Sequence, residues 1–159
     1  MHHEENHPQR VGNILAETEV SLTRLLDLLS QAYLDATVDA DEDIYIRDGL
    51  QIPTWIRVLP EKRLIKFFTH MSFGSSTCET DGLTELANRL NSDIAVPVFF
   101  AAGDRIHANY FISFAGGIAK GQLVGMLRRF SAAFEYGIRM VDMPAADCSE
   151  ASASRRLHS

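Results

Sequence analysis

The sequence predicts an α+β domain: a mostly antiparallel five-stranded sheet with helices packed on one face, in the order α-β-β-β-α-β-β-α. Three observations carry this. The stretch from Leu83 to Ile138 reads without interruption as helix, strand, tight turn, strand, helix. Upstream, two turn signals, Asp48-Gly49 and Pro60 to Arg63, divide a run rich in β-branched and aromatic residues into three strands. Ahead of those, apolar residues recur at helical spacing after Ser21.

Ser21 is placed to cap the first helix, where Leu22, Leu25, Leu26, Leu29 and Tyr33 share one stripe. The polar run Asp39-Ala40-Asp41-Glu42-Asp43 then leads to a strand over Ile44 to Arg47. It lacks the glycine and distal glutamate of a calcium loop, so it reads as a solvated linker. Asp48-Gly49 predicts a two-residue hairpin, because a type I′ turn needs positive φ at both central positions. The next strand spans Leu50 to Leu59, with Pro53 marking an edge or bulge, and Pro60 to Arg63 turns the chain into a third strand, Leu64 to Met71.

Ser72 to Thr77 is a soft connector without the glycine and lysine spacing of a phosphate loop. The second helix carries Leu83, Leu86, Ala87 and Leu90, and Asn91 is expected to end it in left-handed geometry. Val96 to Ala102 and Arg105 to Phe114 form a hairpin around Gly103-Asp104. Gly116-Gly117 has no GxGxxG pattern or parallel βαβ context and reads as a strand-to-helix turn. The last helix shows a long apolar stripe, Leu123, Leu127, Phe130, Phe134 and Ile138, stopped by Pro144. The expected organisation is a flexible amino terminus over 1–18, one α+β domain over 19–143 and a disordered tail over 144–159.

Composition narrows the function. The chain of 159 residues has a hydrophobic fraction of 46% and a formal net charge of −6, and its basic residues are dispersed, which argues against a nucleic-acid partner. Cys78 and Cys148 lie far apart and form no disulfide framework, as suits a reducing compartment. No apolar run approaches the roughly 20 residues that span a bilayer, and MHHEENHPQR lacks the apolar core of a secretory signal. The expectation is a cytoplasmic protein without membrane contact. His2, His3 and His7 read as a frayed polar terminus rather than metal ligands.

Strand alternation separates the two sheet faces. Ile52, Thr54, Ile56 and Val58 share a face with Thr69, Met71, Ile106, Ala108, Tyr110 and Ile112, nearly all apolar. The opposite face carries Trp55, Arg57, Lys66, Phe68, His70, His107, Asn109 and Phe111, with Val98 and Phe100 beside them. Such a mixture is too apolar for comfortable exposure and too polar for a sealed core, which is the composition of an interface. Trp55, Arg57, Phe68, His70, Phe100 and Phe111 are the expected partner-binding residues. The partner is most simply a second copy in a homodimer, and after that a client protein; the competing reading is that the first helix or a tail of the same chain covers the face.

Little points to chemistry. His70 and His107 share a face, but no HxxxH or CxxC spacing supplies a third ligand, so a metalloenzyme or hydrolase is disfavoured. No catalytic residue, metal or cofactor is expected. The alternative is a small-ligand sensor whose pocket is lined by the mixed face, with Arg57 fixing an anion.

Several segments together resemble the YbjN-domain family of bacterial proteins. They are LTELANRLN (Leu83 to Asn91), DRIHANYFISF with the following GG, the helix LVGMLRRFSAAFE, and DEDIYIRDGL (Asp41 to Leu50) upstream. The resemblance covers roughly residues 20–140. It implies a fold similar to type III secretion chaperones, small acidic α+β proteins, usually dimeric, that hold extended client segments. It also implies a non-enzymatic binding module or a sensory transduction regulator, and it supplies no catalytic residue.

Overall fold

A computed structural model describes residues 11–73 and 80–141. Ser21 begins the first helix as predicted: its Oγ accepts a hydrogen bond from the Arg24 backbone N–H at 3.4 Å. Helix α1 (Leu22–Gln31) turns Leu25, Leu28 and Leu29 inward. Tyr33, expected on that stripe, lies beyond the helix end at φ 60° and is 93% exposed. It is the left-handed residue of a terminating motif, in which the Leu34 N–H donates to the Leu29 carbonyl and the Tyr33 N–H to that of Ser30.

The main sheet has six strands rather than five. β2 (Asp35–Val38), β3 (Ile44–Asp48), β4 (Thr54–Leu59), β5 (Leu64–Ser72), β6 (Val98–Ala102) and β7 (Arg105–Ser113) lie in the order β2-β3-β4-β5-β7-β6, every neighbour antiparallel. The unexpected strand is β2, whose Asp-Ala-Thr-Val is mostly exposed at the sheet edge and shows no apolar alternation. The acidic run after it is the turn of a hairpin, not a solvated linker. Asp39 Oδ1 accepts from the N–H groups of Asp41 and Asp43, each at 3.0 Å, and Asp43 is buried.

Asp48-Gly49 does not form the predicted two-residue turn. Tyr45 pairs with Trp55 and Ile46 with Thr54, so residues 49–53 form a longer loop and β4 begins at Thr54 rather than Leu50. Burial sets this register. A two-residue turn would have paired Ile46 with Gln51, placing Ile44 and Ile46 on the face of Arg57; the longer loop restores them to the core. Gly49 is still needed, at φ +96° with Leu34 packed so close that a Cβ would lie 2.7 Å from its Cδ2. The remaining turns follow expectation. Leu59 faces Leu64, Ile56 faces Phe67, Val58 faces Ile65, and Ala102 faces Arg105 across Gly103-Asp104.

Helices α2 (Thr80–Asp93) and α3 (Lys120–Val141) complete the domain. Ile44, Ile46, Ile56, Ile65, Phe67, Phe99 and Ile106 meet Leu25, Leu29, Leu83, Leu90, Leu123, Leu127, Phe130 and Phe134 in one core. Asn91 stays inside α2 instead of ending it. Ahead of α1, β1 (Ile14–Leu15) pairs with β8 (Ile118–Ala119), and the Glu17 carboxylate accepts from the Gly116 N–H at 2.7 Å. Residues 11–18, at the end of the segment expected to be flexible, are thus structured, because Leu15 is buried in the core. Residues 1–10, 74–79 and 142–159 lie outside the described residues. They include the three amino-terminal histidines, both cysteines, most of the Ser72 to Thr77 connector, Pro144 and the 144–159 tail. No described helix is long and apolar enough to cross a membrane.

Candidate functional site

With the helices on one face, alternation along β3, β4, β5, β7 and β6 turns every second side chain of the other outward. Register stacks these side chains in three rungs. One runs Tyr45, Trp55, Phe68, Asn109, Val98 across five strands; the second is Arg57, Lys66, Phe111; the third is His70, His107, Phe100.

Rings connect the rungs into a ladder. Trp55 lies 4.9 Å from Tyr45, 6.0 Å from Phe68 and 5.5 Å from His70, centroid to centroid. His70 lies 5.6 Å from His107, which stacks on Phe100 at 5.1 Å. Aromatic surface therefore crosses the sheet continuously from Tyr45 to Phe100. Phe111 and Phe100 are 47% and 40% exposed, while Trp55 and Phe68 are half-buried by their strand neighbours.

The middle rung carries charge. Arg57 Nε donates to Asp43 Oδ1 at 2.7 Å and its Nη2 donates to Oδ2, so the buried carboxylate is held bidentately. That hydrogen bonding raises the Arg57 pKa above its ordinary value. Lys66, directly across from Arg57, has no carboxylate partner among the described residues. Its Nζ sits 4.7 Å from the Phe68 ring centre and 5.9 Å from that of Phe111. Burial, and then the neighbouring Arg57 charge, lowers its pKa. Burial is also the first cause lowering the His107 pKa, followed by the charges of His70, Arg105 and Lys66.

All six residues singled out from the sequence, Trp55, Arg57, Phe68, His70, Phe100 and Phe111, fall on this one face. Tyr45 and Asp43 were missed. Tyr45 alternates with Ile44 and Ile46, but the two-residue turn register would have placed it on the opposite side. The importance of Asp43 was hidden in a run of five residues, four of them acidic. His70 and His107 do lie side by side, yet no cluster of three or more potential ligands exists among the described residues. Two concavities, one lined by Arg24, Asp27, Gln31 and Lys120 and one by Asp35, Thr37, Tyr45 and Arg47, hold about 30 and 50 Å³. Small-molecule sites typically need roughly 300 Å³ or more.

A family model for the T3SS (YopN, CesT) and YbjN peptide-binding chaperone 1, TY-Chap1, matches residues 19–137. The chain belongs to the TY-Chap1 family. The matched TY-Chap1 region takes in α1, the whole six-stranded sheet and most of α3, and leaves out β1. The likeness to YbjN-domain proteins seen in the sequence is thus confirmed, and membership of this peptide-binding chaperone family fits a protein-binding module.

Solved structures agree on the TY-Chap1 fold. YbjN from E. coli superposes with a TM-score of 0.62 at 14% identity, over 75% of this chain and 89% of that one. An uncharacterized protein from Methanothermobacter thermautotrophicus gives a TM-score of 0.58 at 13% identity, over 77% and 96%. No curated protein matches the sequence.

Proposed function

We propose that this protein binds an extended segment of a client protein across the open face of its sheet, as a chaperone-like or regulatory module without catalytic activity. The observation that carries the reading is the uninterrupted aromatic ladder from Tyr45 through Trp55, His70 and His107 to Phe100, lying opposite the helices. Covering half of Trp55, Phe68, Phe100 and Phe111 removes a few hundred Å² of apolar area, worth several kcal/mol at about 25 cal/mol per Å². A peptide strand presents alternate side chains to such a surface, matching its rungs. Trp55, Arg57, Phe68, His70, Phe100 and Phe111 are the contact residues of this reading. Its regulatory part leans on the fold shared with E. coli YbjN, itself a candidate transcription regulator.

A second copy is the less favoured occupant. A two-fold axis through the middle of the face would bring Arg57 and Lys66 of one protomer against the same cations of the other.

Trp55 is the only tryptophan in the chain, so its emission reports occupancy of the face directly. Titration with unstructured peptides should shift that emission to the blue, and Trp55→Ala should weaken binding, followed by calorimetry, about tenfold or more. Peptide binding that survives both Trp55→Ala and Phe111→Ala unchanged would place the client elsewhere.

A further inference from the structure

We propose that the open face selects client segments bearing an acidic residue, with Lys66 as the residue that reads it. The inference rests on the peptide-binding reading above and adds the chemistry of the peptide.

The middle of the face is an isolated positive spot on an acidic protein. The whole chain carries a formal net charge of −6, yet the central rung places Lys66 directly opposite Arg57. Like charges facing each other across a strand pair oppose pairing. One buried carboxylate, that of Asp43, serves this pair, and both its oxygens are taken by Arg57. The other charged groups near the face are matched: Arg47 lies 2.9 Å from Asp35, and Arg105 lies 3.8 Å from Asp104. Among the described residues Lys66 alone of the arginines and lysines on this face has no carboxylate within ion-pair reach; its ammonium lies over the rings of Phe68 and Phe111, and the Asp43 carboxylate acts on it only from beyond that reach. A half-buried ammonium without a counter-ion gains more from an incoming carboxylate than an exposed one does, because less solvent screens the pair.

The surroundings state the rest of the motif. Leu64 and Phe68 flank Lys66 along β5, and Phe111 lies beside it on β7. In an extended peptide, side chains two positions apart share a face at roughly 6.5–7 Å. A carboxylate over Lys66 therefore carries its residues at two positions before and after onto apolar ground. The occupant is a segment of the pattern apolar, any, acidic, any, apolar.

The test uses three unstructured peptides with one apolar frame and a central Glu, Gln or Lys, titrated against the full chain with Trp55 emission and calorimetry as readouts. The expected result is that the Glu peptide binds about tenfold more tightly than the Gln peptide, and the Lys peptide more weakly than either. In Lys66→Met, which keeps the aliphatic stem between the two rings, the affinities for the Glu and Gln peptides should converge. Lys66→Gln makes the same test should Met disturb the rings, and Lys66→Glu should reverse the order toward the Lys peptide. Equal binding of all three peptides to the wild-type chain, or a Glu preference that persists in both neutral variants, overturns the selectivity while leaving peptide binding intact. Binding of none of them overturns the peptide-binding reading and this inference with it. A Trp55 response to inorganic phosphate equal to that of the Glu peptide would assign Lys66 to a free anion and overturn the inference.

Discussion

Arg57 and Asp43 are joined by two hydrogen bonds although the arginine stands on the open face and the aspartate is buried at the tip of the β2–β3 hairpin. The pair ties the acidic turn to the middle of the sheet, so the charge on the face and the shape of the edge hairpin depend on one contact. Arg57→Met leaves a carboxylate that is 2% exposed without its cation. Breaking a fully buried pair costs about 3–5 kcal/mol. Here the arginine side chain is 44% exposed, and water reaches the pair, so the expected loss is about 1–2 kcal/mol. Urea denaturation should show it as a lower midpoint, partly restored in Arg57→Met combined with Asp43→Asn. An unchanged midpoint in the single variant would show that the carboxylate finds another partner.

At the other margin of the sheet, Asn91 closes the edge of β6. Its Nδ2 donates to the Phe99 carbonyl at 2.9 Å, and the Phe99 N–H donates to its Oδ1 at 2.8 Å, so one side chain imitates a paired strand residue. Asn91→Ala removes both bonds and should cost about 1 kcal/mol, since water can reach the freed groups. The Phe99 amide should exchange faster with solvent deuterium in that variant, by more than its neighbours along β6. Uniform exchange rates along the strand would mean that α2 protects the edge without Asn91.

How far the face could be foreseen follows from which strands owe their register to short turns. The Gly103-Asp104 turn and the Pro60 to Arg63 turn fix their hairpins locally, so the facing of Phe68, His70, Phe100, His107 and Phe111 follows from counting residues. The β3–β4 connection is different. Its register is decided by the need of Ile44 and Ile46 to reach the core, a tertiary demand that overrides the Asp48-Gly49 signal. Tyr45 was lost for that reason. β2 was lost because an edge strand of exposed residues has no apolar period to detect. The role of Asn91 as an edge closure was equally invisible, since asparagine near a helix end is the ordinary sign of a left-handed cap. Only the β3–β4 register is set by distant packing; β2 pairs locally with β3, and Asn91 bonds Phe99 eight residues on, so these two are hidden by side-chain pattern rather than by separation.

His107 makes the stability of the face depend on pH. It stands between His70 and Phe100 in the third rung, with Arg105 two residues before it and Lys66 nearby. Burial, then the charges of His70, Arg105 and Lys66, lowers its pKa below the ordinary imidazole value of about 6.5. The unfolded chain therefore holds this proton more tightly than the folded one. Stability is complete above about pH 6.5, and it declines as the pH falls through that value toward the folded pKa, because protonation favours the unfolded state over that interval. The wild-type melting temperature should fall between about pH 7.5 and pH 5.5, and His107→Phe, which keeps a ring against Phe100, should fall less over the same interval. His107→Asn should share the smaller acid loss even if it is less stable throughout. Parallel curves for all three proteins would show that His107 takes up its proton as easily folded as unfolded.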